Sequence, residues 1–380
     1  MSNRHEIYEE IAEQLRSGRP VVQATVIQTR GSTPRKEGST MLVREDGSLV
    51  GTIGGGCGEA GVIQKARLSL LDGQAREELA DLTEDIAMES EGVCGGTLRV
   101  FIEPWQPSEG ALDLAQKLAD LSQGDREVLV HQVIQSGEGG SGPEAEGLHL
   151  PGRVLLDAEG NVLAGNLPRE MGLPHLPQKA VHKLSRTAEG EVYSERWEPV
   201  PTLVIIGAGH IAEPLDRLGR EVGFRTVVVD DRRLFANRER FPKADQVVCG
   251  PILDVCREMD LSPHHYMVLV TRGHTLDMDA LRVMIDRGEP LAYLGMIGSR
   301  RRIRAVFELL EKEGYPRERF EHVHAPVGLN IGAETPSEIA VSVVAEAISV
   351  RRRSGEDTRP LVRLAGRHPS VARAEREAGD

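Results

Sequence analysis

Residues 203–230, LVIIGAGHIAEPLDRLGREVGFRTVVVD, constrain the fold of this chain more than any other stretch. An apolar, β-branched run ends in Gly-Ala-Gly at 207–209, an amphipathic segment follows, and a second apolar run stops at Asp230. This order of strand, glycine turn, helix, strand and acid matches the dinucleotide-binding βαβ fingerprint, with Ala212 in the position of the third glycine. The sequence therefore predicts a Rossmann-like unit that binds a dinucleotide or another phosphorylated ligand.

Each part of the fingerprint has a role in binding an anion. Gly207 would allow the tight turn, and Gly209 would let the backbone approach a pyrophosphate closely. The turn continues through His210, another candidate contact, into a helix whose N-terminus supplies unpaired N–H groups and a positive dipole end. Asp230 would accept hydrogen bonds from ribose hydroxyls.

The length of 380 residues favours two domains, and the stiff segment Glu-Pro-Val-Pro after residue 197 suggests where they meet. We expect an α/β protein with an N-terminal α+β domain at 1–197. A Rossmann-like parallel-sheet domain at 198–350 and a charged, flexible tail at 351–380 would follow. In the second domain we predict strands that alternate with helical stretches. These strands lie near 226–229, 246–249, 267–271 and 291–297.

Composition excludes several classes of protein. The net charge of -13 argues against non-specific binding to nucleic acid. We find no apolar run near the roughly 20 residues that cross a bilayer, and no signal peptide at the start. Four cysteines in so long a chain do not form a disulfide scaffold, so we expect a cytoplasmic protein.

The N-terminal half shows clear local patterns. The first helix would bury Ile7, Ile11 and Leu15, and Asp46-Gly47 marks a hairpin. The remaining predicted elements are strands at 21–29, 97–103 (ending at Pro104) and 127–135, helices at 59–71 and 111–121, and a second hairpin at 153–165 after a flexible loop at 136–147.

A run of three glycines, Gly54, Gly55 and Gly56, precedes Cys57 where a strand leads into a helix. Exposed backbone N–H groups and a helix N-terminus favour a reactive or metal-facing thiolate there. The alternative is a tight turn in which the cysteine packs as a small apolar side chain. Cys94 has a similar glycine-rich setting and is a weaker candidate for a metal contact.

The loop RGSTPR carries two arginines beside hydroxyl groups. Arg30, Ser32 and Arg35 would bind a phosphate or carboxylate, the guanidinium groups in bidentate fashion. The alternative is a solvated turn.

Two further clusters follow predicted strands, at the edge where open α/β sheets bind ligands. Arg272 and His274 follow the run MVLV. Gly298, Ser299 and Arg300 open a helix after LAYLGMI and would bind an anion at its N-terminus, the alternative being a solvated basic face.

The segment 324–336 forms a third edge of this kind. His324 and Asn330 are candidates for ligand contact, whereas Thr335 and Glu338 match a helix capping box and need no functional role. We find no Gly-x-Ser-x-Gly elbow, no His-Glu-x-x-His, no Walker loop and no acid–base pair suited to hydride transfer. No catalytic residue is therefore assigned.

Together these motifs resemble the XdhC/CoxI family of xanthine dehydrogenase accessory factors and carbon monoxide dehydrogenase maturation proteins. The matching segments are RGSTPRKEGSTMLV, GTIGGGCGEAGVI, VCGGTLRVFIEP, LVIIGAGHIAEPL, VVVDDRRLFANRERFPKAD, VLVTRGHTLDMDAL, YLGMIGSRRR and HAPVGLNIGAETPSEIAVSVVAE. They span nearly the whole chain except 106–197 and the tail. One departure is Cys57-Gly58-Glu59, where many relatives carry a bulkier residue between cysteine and acid and some lack the cysteine.

The resemblance implies a chaperone that binds molybdenum cofactor (molybdopterin with its metal) and protects it while a cysteine desulfurase installs the sulfido ligand. The chaperone then inserts the cofactor into a molybdenum hydroxylase of the xanthine or CO dehydrogenase type. We expect such a chaperone rather than an enzyme, and a homodimer. Two alternatives stay open: an NAD(P)-dependent oxidoreductase, and a cofactor-free adaptor between the desulfurase and the client enzyme.

Overall fold

A computed structural model describes residues 4–54, 57–81, 96–136, 152–167, 172–178, 180–187 and 190–352, with positions 57, 81, 135, 136 and 274 described by their backbone alone. The chain divides into two units, Met1–Pro199 and Val200–Asp380. Except for Ser136, the predicted loop at 136–147 lies outside the described residues, and so does most of the predicted tail.

Within its described residues, the first unit contains two antiparallel five-stranded sheets and three helices. Its elements are α1 (Arg4–Arg16), β1 (Val21–Arg30), β2 (Thr40–Arg44), β3 (Leu49–Gly51), α2 (Cys57–Asp72), β4 (Arg76–Asp81), β5 (Thr97–Trp105), α3 (Glu109–Ser122), β6 (Val128–Ser136), β7 (Arg153–Leu156), β8 (Val162–Gly165), β9 (His182–Thr187) and β10 (Gly190–Trp197). The strand orders are β3-β2-β1-β5-β4 and β8-β7-β6-β10-β9.

Burial on both faces of β1 explains its continuous apolar run. Val22, Ala24 and Val26 lie in the core that includes Val62 and Ala66 of α2. On the opposite face, the core around Val21 includes the inner stripes of α1 and α3. The predicted inward positions of α1, namely Ile7, Ile11 and Leu15, are all buried.

The second unit is a doubly wound parallel sheet, which confirms the predicted fold class. Its elements are β11 (Thr202–Ile206), α4 (Ala212–Glu221), β12 (Arg225–Asp230), β13 (Gln246–Cys249), α5 (Ile252–Glu258), β14 (His265–Leu269), α6 (His274–Arg287), β15 (Tyr293–Met296), α7 (Arg300–Lys312), a short 3-10 helix (Arg317–Arg319) and α8 (Pro336–Arg352). The strand order is β13-β12-β11-β14-β15, and all neighbours are parallel.

Alternate residues of β11 face opposite layers of this unit. Leu203 and Ile205 join the core beneath α4 and α8, whereas Val204 and Ile206 join the core beneath α5, α6 and α7. The strand order reverses between β11 and β14, so the loops after these two strands flank the topological switch point.

Two features of the first unit differ from the sequence predictions. Strand β5 continues through Pro104 to Trp105, with Pro104 opposite Val22. Strand β4 pairs with β5 only as far as Ile102, so β5 has one neighbour at the proline, where a missing N–H is tolerated. Strands β4, β9 and β10 also had no counterpart among the elements predicted from sequence.

None of the helices in the described parts of the chain is long and apolar enough to span a bilayer.

Candidate functional site

Three sequence motifs of the first unit meet at one end of its first sheet. The RGSTPR loop follows β1. A Cβ placed on Gly96, at the start of β5, would lie 2.5 Å from the carbonyl oxygen of Arg30 and 2.6 Å from that of Ser32. A Cβ on Gly54 would lie 3.3 Å from Cγ of Pro34. Glycine is therefore required at Gly96 by close approach to the loop, and the sequence did not reveal this contact.

The RGSTPR loop is fixed at its base. Glu37 Oε1 accepts hydrogen bonds from the backbone N–H of Thr29 at 2.9 Å and from its hydroxyl at 2.7 Å. Gly38 lies against the His182 ring, since a Cβ there would be 2.4 Å from Cε1. Tyr193 Oη is in turn 2.8 Å from His182 Nδ1. Burial lowers the pKa of His182, so the neutral ring is favoured in this contact.

The cationic side chains of this loop are not used to hold it. Arg30 is exposed and Arg35 half-buried, and neither guanidinium group has a hydrogen bond or ion pair within the described residues. Because the loop is held by Glu37 and Gly38, both arginines remain available to an anion. Ser32 is exposed beside them.

Glu59 organises the start of α2. Its Oε1 accepts from the Thr52 hydroxyl at 2.6 Å and from the Ile53 N–H at 3.2 Å, which ties the first turn of the helix to the segment that follows β3. Cys57 is the first residue of α2. Gly55, Gly56 and Cys94, and the thiol of Cys57, lie outside the described residues.

In the second unit, the glycine turn after β11 has the form that the sequence predicted. Gly207 has a φ of 110°, and a Cβ there would lie 2.5 Å from the carbonyl oxygen of Val270. A Cβ on Gly209 would meet nothing within 4 Å. Gly207 is thus required by packing, whereas Gly209 faces open space.

Some backbone donors of this turn are unused among the described residues. Within the described chain, the N–H groups of Gly209, His210 and Ile211 have no acceptor. Helix α4 begins at Ala212 without a side-chain cap. This is the arrangement that binds phosphate at a helix N-terminus. The His210 side chain is exposed.

The loop after β14 is held by a residue that the sequence analysis missed. Asp277, buried in the first turn of α6, accepts the Thr271 N–H at 2.9 Å. The Thr271 hydroxyl donates to the Gly273 carbonyl at 3.0 Å. A Cβ on Gly273 would meet nothing within 4 Å, and α6 has no side-chain cap. The sequence signal that could have identified Asp277 was an acidic residue three positions after His274, in the first turn of the predicted helix.

Asp230 does not present a free carboxylate. Its Oδ2 accepts from the Ala208 N–H at 2.8 Å and from Arg232 Nη2 at 2.9 Å. Its Oδ1 accepts from Arg232 Nε at 2.8 Å and from the Arg232 N–H at 3.0 Å. Burial opposes ionisation, but these hydrogen bonds outweigh it and lower the pKa of Asp230 to about 2.

Arginines on the neighbouring loops are paired with acids or aromatic rings. The Arg232 guanidinium lies 3.7 Å from the centroid of Phe235. Arg272 binds Asp231 through two hydrogen bonds of 3.0 Å, which links the loops after β12 and β14. This pair is partly exposed and therefore weak. The His274 side chain lies outside the description.

The loop after β15 supplies the N-cap residue of α7. Ser299 Oγ accepts the Arg302 N–H at 3.3 Å, and a Cβ on Gly298 would lie 2.9 Å from Ile303 Cδ1. Ser299 therefore has a structural role as the N-cap of α7. Arg300 is exposed, and its side chain has no partner in the described chain.

His324 is unavailable to a ligand, contrary to its candidacy from sequence. It is 3% exposed, with Nδ1 3.2 Å from Glu346 Oε1 and its ring 4.4 Å from that of Tyr293. Tyr293 and the Gly328 N–H also donate to Glu346, at 2.5 and 2.8 Å. This buried network joins the loop to α8. Asn330 is exposed on the same loop.

The predicted capping box of α8 is confirmed. Glu338 Oε2 accepts the Thr335 N–H at 2.8 Å, and the Glu338 N–H donates to the Thr335 hydroxyl at 3.3 Å. No group of three His, Cys, Asp or Glu side chains in the described residues could hold a metal ion.

Comparison with known proteins places both units in one family. The model of the XdhC and CoxI family matches residues 14–82, and that of the XdhC Rossmann domain matches residues 203–347. A protein of Bacillus subtilis (strain 168), named as a probable subunit of xanthine dehydrogenase, is 30% identical over 345 residues, which cover 87% of this chain and 93% of that protein. The molybdenum cofactor insertion chaperone PaoD of Escherichia coli (strain K12) is 23% identical over 349 residues, covering 91% of this chain and 88% of PaoD.

A solved structure shares the fold over nearly the whole length. The crystal structure of a xanthine dehydrogenase from Bacillus halodurans aligns with a TM-score of 0.73 at 26% identity, covering 96% of this chain and 100% of that one. The identity and coverage of the Bacillus subtilis relative, together with the two domain matches, show that this chain belongs to the XdhC and CoxI family.

Proposed function

We propose that this protein is an accessory factor that binds sulfurated molybdenum cofactor, protects it, and inserts it into a molybdenum hydroxylase of the xanthine or CO dehydrogenase type. The relative PaoD is named as a chaperone that inserts this cofactor, and the two Bacillus proteins are named as a probable subunit of xanthine dehydrogenase and as a xanthine dehydrogenase. The cofactor is the cargo of this chain, and no chemical step on it is assigned to the chain.

One observation carries the proposal: the RGSTPR loop packs closely against Gly96 at the start of β5, while the guanidinium groups of Arg30 and Arg35 have no partner among the described residues. Molybdopterin ends in a phosphate, which a planar guanidinium group binds through two hydrogen bonds. Arg30 and Arg35 are the proposed phosphate ligands, with Ser32 beside them. The close contact between Gly96 and the loop backbone supports a preformed site, because the loop cannot move toward β5.

Cys57 is the proposed residue at the metal end of the cofactor. It stands at the start of the 16-residue helix α2, where the helix dipole favours a thiolate. Thiolates are suitable ligands for a soft metal–sulfur centre. Glu59, which holds this helix start to Thr52 and Ile53, is then a positioning residue rather than a ligand.

The test measures pterin carried by the purified protein. The full chain is isolated from cells that make the cofactor, and released pterin is oxidised to a fluorescent product and counted per chain. We expect near-stoichiometric pterin in the wild type and at least a tenfold loss in Arg30→Ala/Arg35→Ala, since each lost charged hydrogen bond costs about 1.5–3 kcal/mol. Lys36→Ala removes an exposed positive charge from the same loop and is the matched control, expected to retain pterin.

A second measurement separates cofactor insertion from simple binding. Loaded protein is mixed with the apo form of a molybdenum hydroxylase, and enzyme activity is followed. Cys57→Ser should bind pterin less tightly or transfer inactive cofactor. The proposal would be refuted if the wild type carried no pterin, or if the pterin content per chain did not change on substitution of the two arginines.

The proposal extends to partners. A client hydroxylase must contact the protein to receive cofactor, and a cysteine desulfurase must supply the sulfur. We propose a cytoplasmic homodimer that binds both. Light scattering of the purified chain tests the dimer. Pull-down of both partners by Arg30→Ala/Arg35→Ala without pterin would favour the adaptor alternative instead.

A further inference from the structure

We infer that the crevice of the Rossmann unit selects a nucleotide whose adenosine ribose carries a 2′-phosphate, and that Arg232 is the residue that sets this preference. The usual interpretation of an acid at the end of β12 is the opposite, since a free carboxylate there binds the ribose diol and repels a 2′-phosphate.

The side-chain geometry of Asp230 removes the basis for diol binding. A carboxylate has about four acceptor positions, and Asp230 accepts four hydrogen bonds from Ala208 and Arg232. The residue is 2% exposed. A ribose diol could reach these oxygens only after the Arg232 guanidinium had left them.

The group that faces solvent at this position is a cation. The Arg232 side chain is 28% exposed, and its Nη1 has no acceptor in the described chain. Stacking on Phe235 holds the guanidinium plane in place. A fixed, planar guanidinium with a free N–H edge is suited to a phosphate monoester.

The neighbouring charges support the same preference. Arg233 is exposed, and its guanidinium group has no partner within the described residues. Asp231, the other carboxylate at this corner, is neutralised by Arg272 through two hydrogen bonds of 3.0 Å. Both acids are thus paired, while Arg233 adds an unpaired positive charge.

The test uses ligand pairs that differ only in the 2′-phosphate. Isothermal titration calorimetry of the full chain compares NADP⁺ with NAD⁺, and 2′,5′-ADP with 5′-AMP. We expect the phosphorylated member of each pair to bind at least tenfold tighter. Arg232→Ala should abolish this difference and strengthen NAD⁺ binding, because it frees both oxygens of Asp230. The inference concerns the Rossmann unit alone, so its failure is distinct from failure of the pterin assay.

Two further variants make the result decisive. Arg217→Ala removes an exposed arginine from α4 and should leave the NADP⁺/NAD⁺ ratio unchanged. Arg232→Lys retains the positive charge but lacks the planar guanidinium group. It should give an intermediate NADP⁺/NAD⁺ affinity ratio even if the alanine variant folds poorly. Equal or tighter binding of NAD⁺ to the wild type, no binding of either pair at millimolar concentration, or a ratio unaffected by both Arg232 variants would overturn the inference.

Discussion

Asp277 accepts the backbone N–H of Thr271 at 2.9 Å, and this hydrogen bond sets the loop that carries Arg272. The carboxylate belongs to α6, whereas the N–H follows β14, so the contact joins the end of a strand to the helix after it. Asp277 is buried and Thr271 half-buried, and removing the Asp277 carboxylate leaves the Thr271 N–H without this acceptor.

Asp277→Ala is therefore expected to destabilise the Rossmann unit by about 1–3 kcal/mol. Asp277→Asn keeps a side-chain oxygen that accepts the same N–H, and its cost should be smaller. Urea unfolding followed by circular dichroism measures both. Equal effects of the two variants would show that the acceptor oxygen is not what Asp277 contributes.

The two glycines of the β11 turn should respond differently to the same substitution. Gly207→Ala forces a Cβ to within 2.5 Å of the Val270 carbonyl oxygen at a φ of 110°, so we expect a loss of at least 1–3 kcal/mol. Gly209→Ala meets open space, so the free energy of unfolding should change by less than about 1 kcal/mol.

Gly209→Ala should instead weaken nucleotide binding, because its methyl group occupies the space above the free N–H groups of the turn. Calorimetric titration with NADP⁺ is the measurement. A Gly209→Ala protein that binds as the wild type does would indicate that the ligand lies elsewhere on the sheet edge.

The buried pair Glu103–Arg153 should matter far more than an exposed ion pair. Arg153 Nη2 lies 2.7 Å from Glu103 Oε2, and both side chains are at most 3% exposed. Glu103→Ala leaves a buried guanidinium without its counter-ion, at an expected cost of about 3–5 kcal/mol. Lys117→Ala breaks an exposed pair with Asp113 and should cost less than about 1 kcal/mol.

Tryptophan fluorescence during urea unfolding reports on this prediction, because both tryptophans of the chain, Trp105 and Trp197, lie in the first unit. Similar midpoints for Glu103→Ala and Lys117→Ala would contradict it.

Local patterns predicted the Rossmann unit well because each of its signals is short-range. The glycine turn, the continuous apolar run of β11 and the capping box of Thr335 and Glu338 depend on neighbouring residues, and each has its expected form. The parallel sheet follows from the repeated alternation of strands and helices.

Strand β10 shows where sequence reasoning was insufficient. Its residues Glu191, Ser194 and Glu195 are polar and yet buried. Each is paired with a residue distant in sequence: Glu191 with Arg99, Ser194 with His131, and Glu195 with Arg4. Polar residues give no sequence signal for a buried strand, and only the tertiary pairing explains their burial.

The candidate site was predictable in its residue types and not in its contacts. The sequence identified the RGSTPR arginines, but the approach of Gly96 to this loop joins residues more than sixty positions apart. Likewise, Asp230 was recognised as the fingerprint acid, while its capture by Arg232 depends on the side-chain conformation that stacks on Phe235.

The Asp230–Arg232 pair also predicts a pH-dependent contribution to stability. The pKa of Asp230 falls from 3.8 to about 2 in the folded chain, so folding favours the carboxylate. Its stabilisation is present above the unfolded pKa and is lost as pH falls through the folded one, a total of about 2 kcal/mol. About 1 kcal/mol of this should be gone by about pH 3.

Asp230→Asn removes the titrating group while retaining an oxygen that accepts hydrogen bonds. Other carboxylates titrate equally in both proteins, so the difference between their free energies of unfolding isolates Asp230. From urea unfolding at about pH 6 and about pH 3, we expect the advantage of the wild type to shrink by about 1 kcal/mol. An advantage that is constant over this range would mean that Asp230 titrates at its ordinary pKa, and that the Arg232 guanidinium is not bound to it in solution.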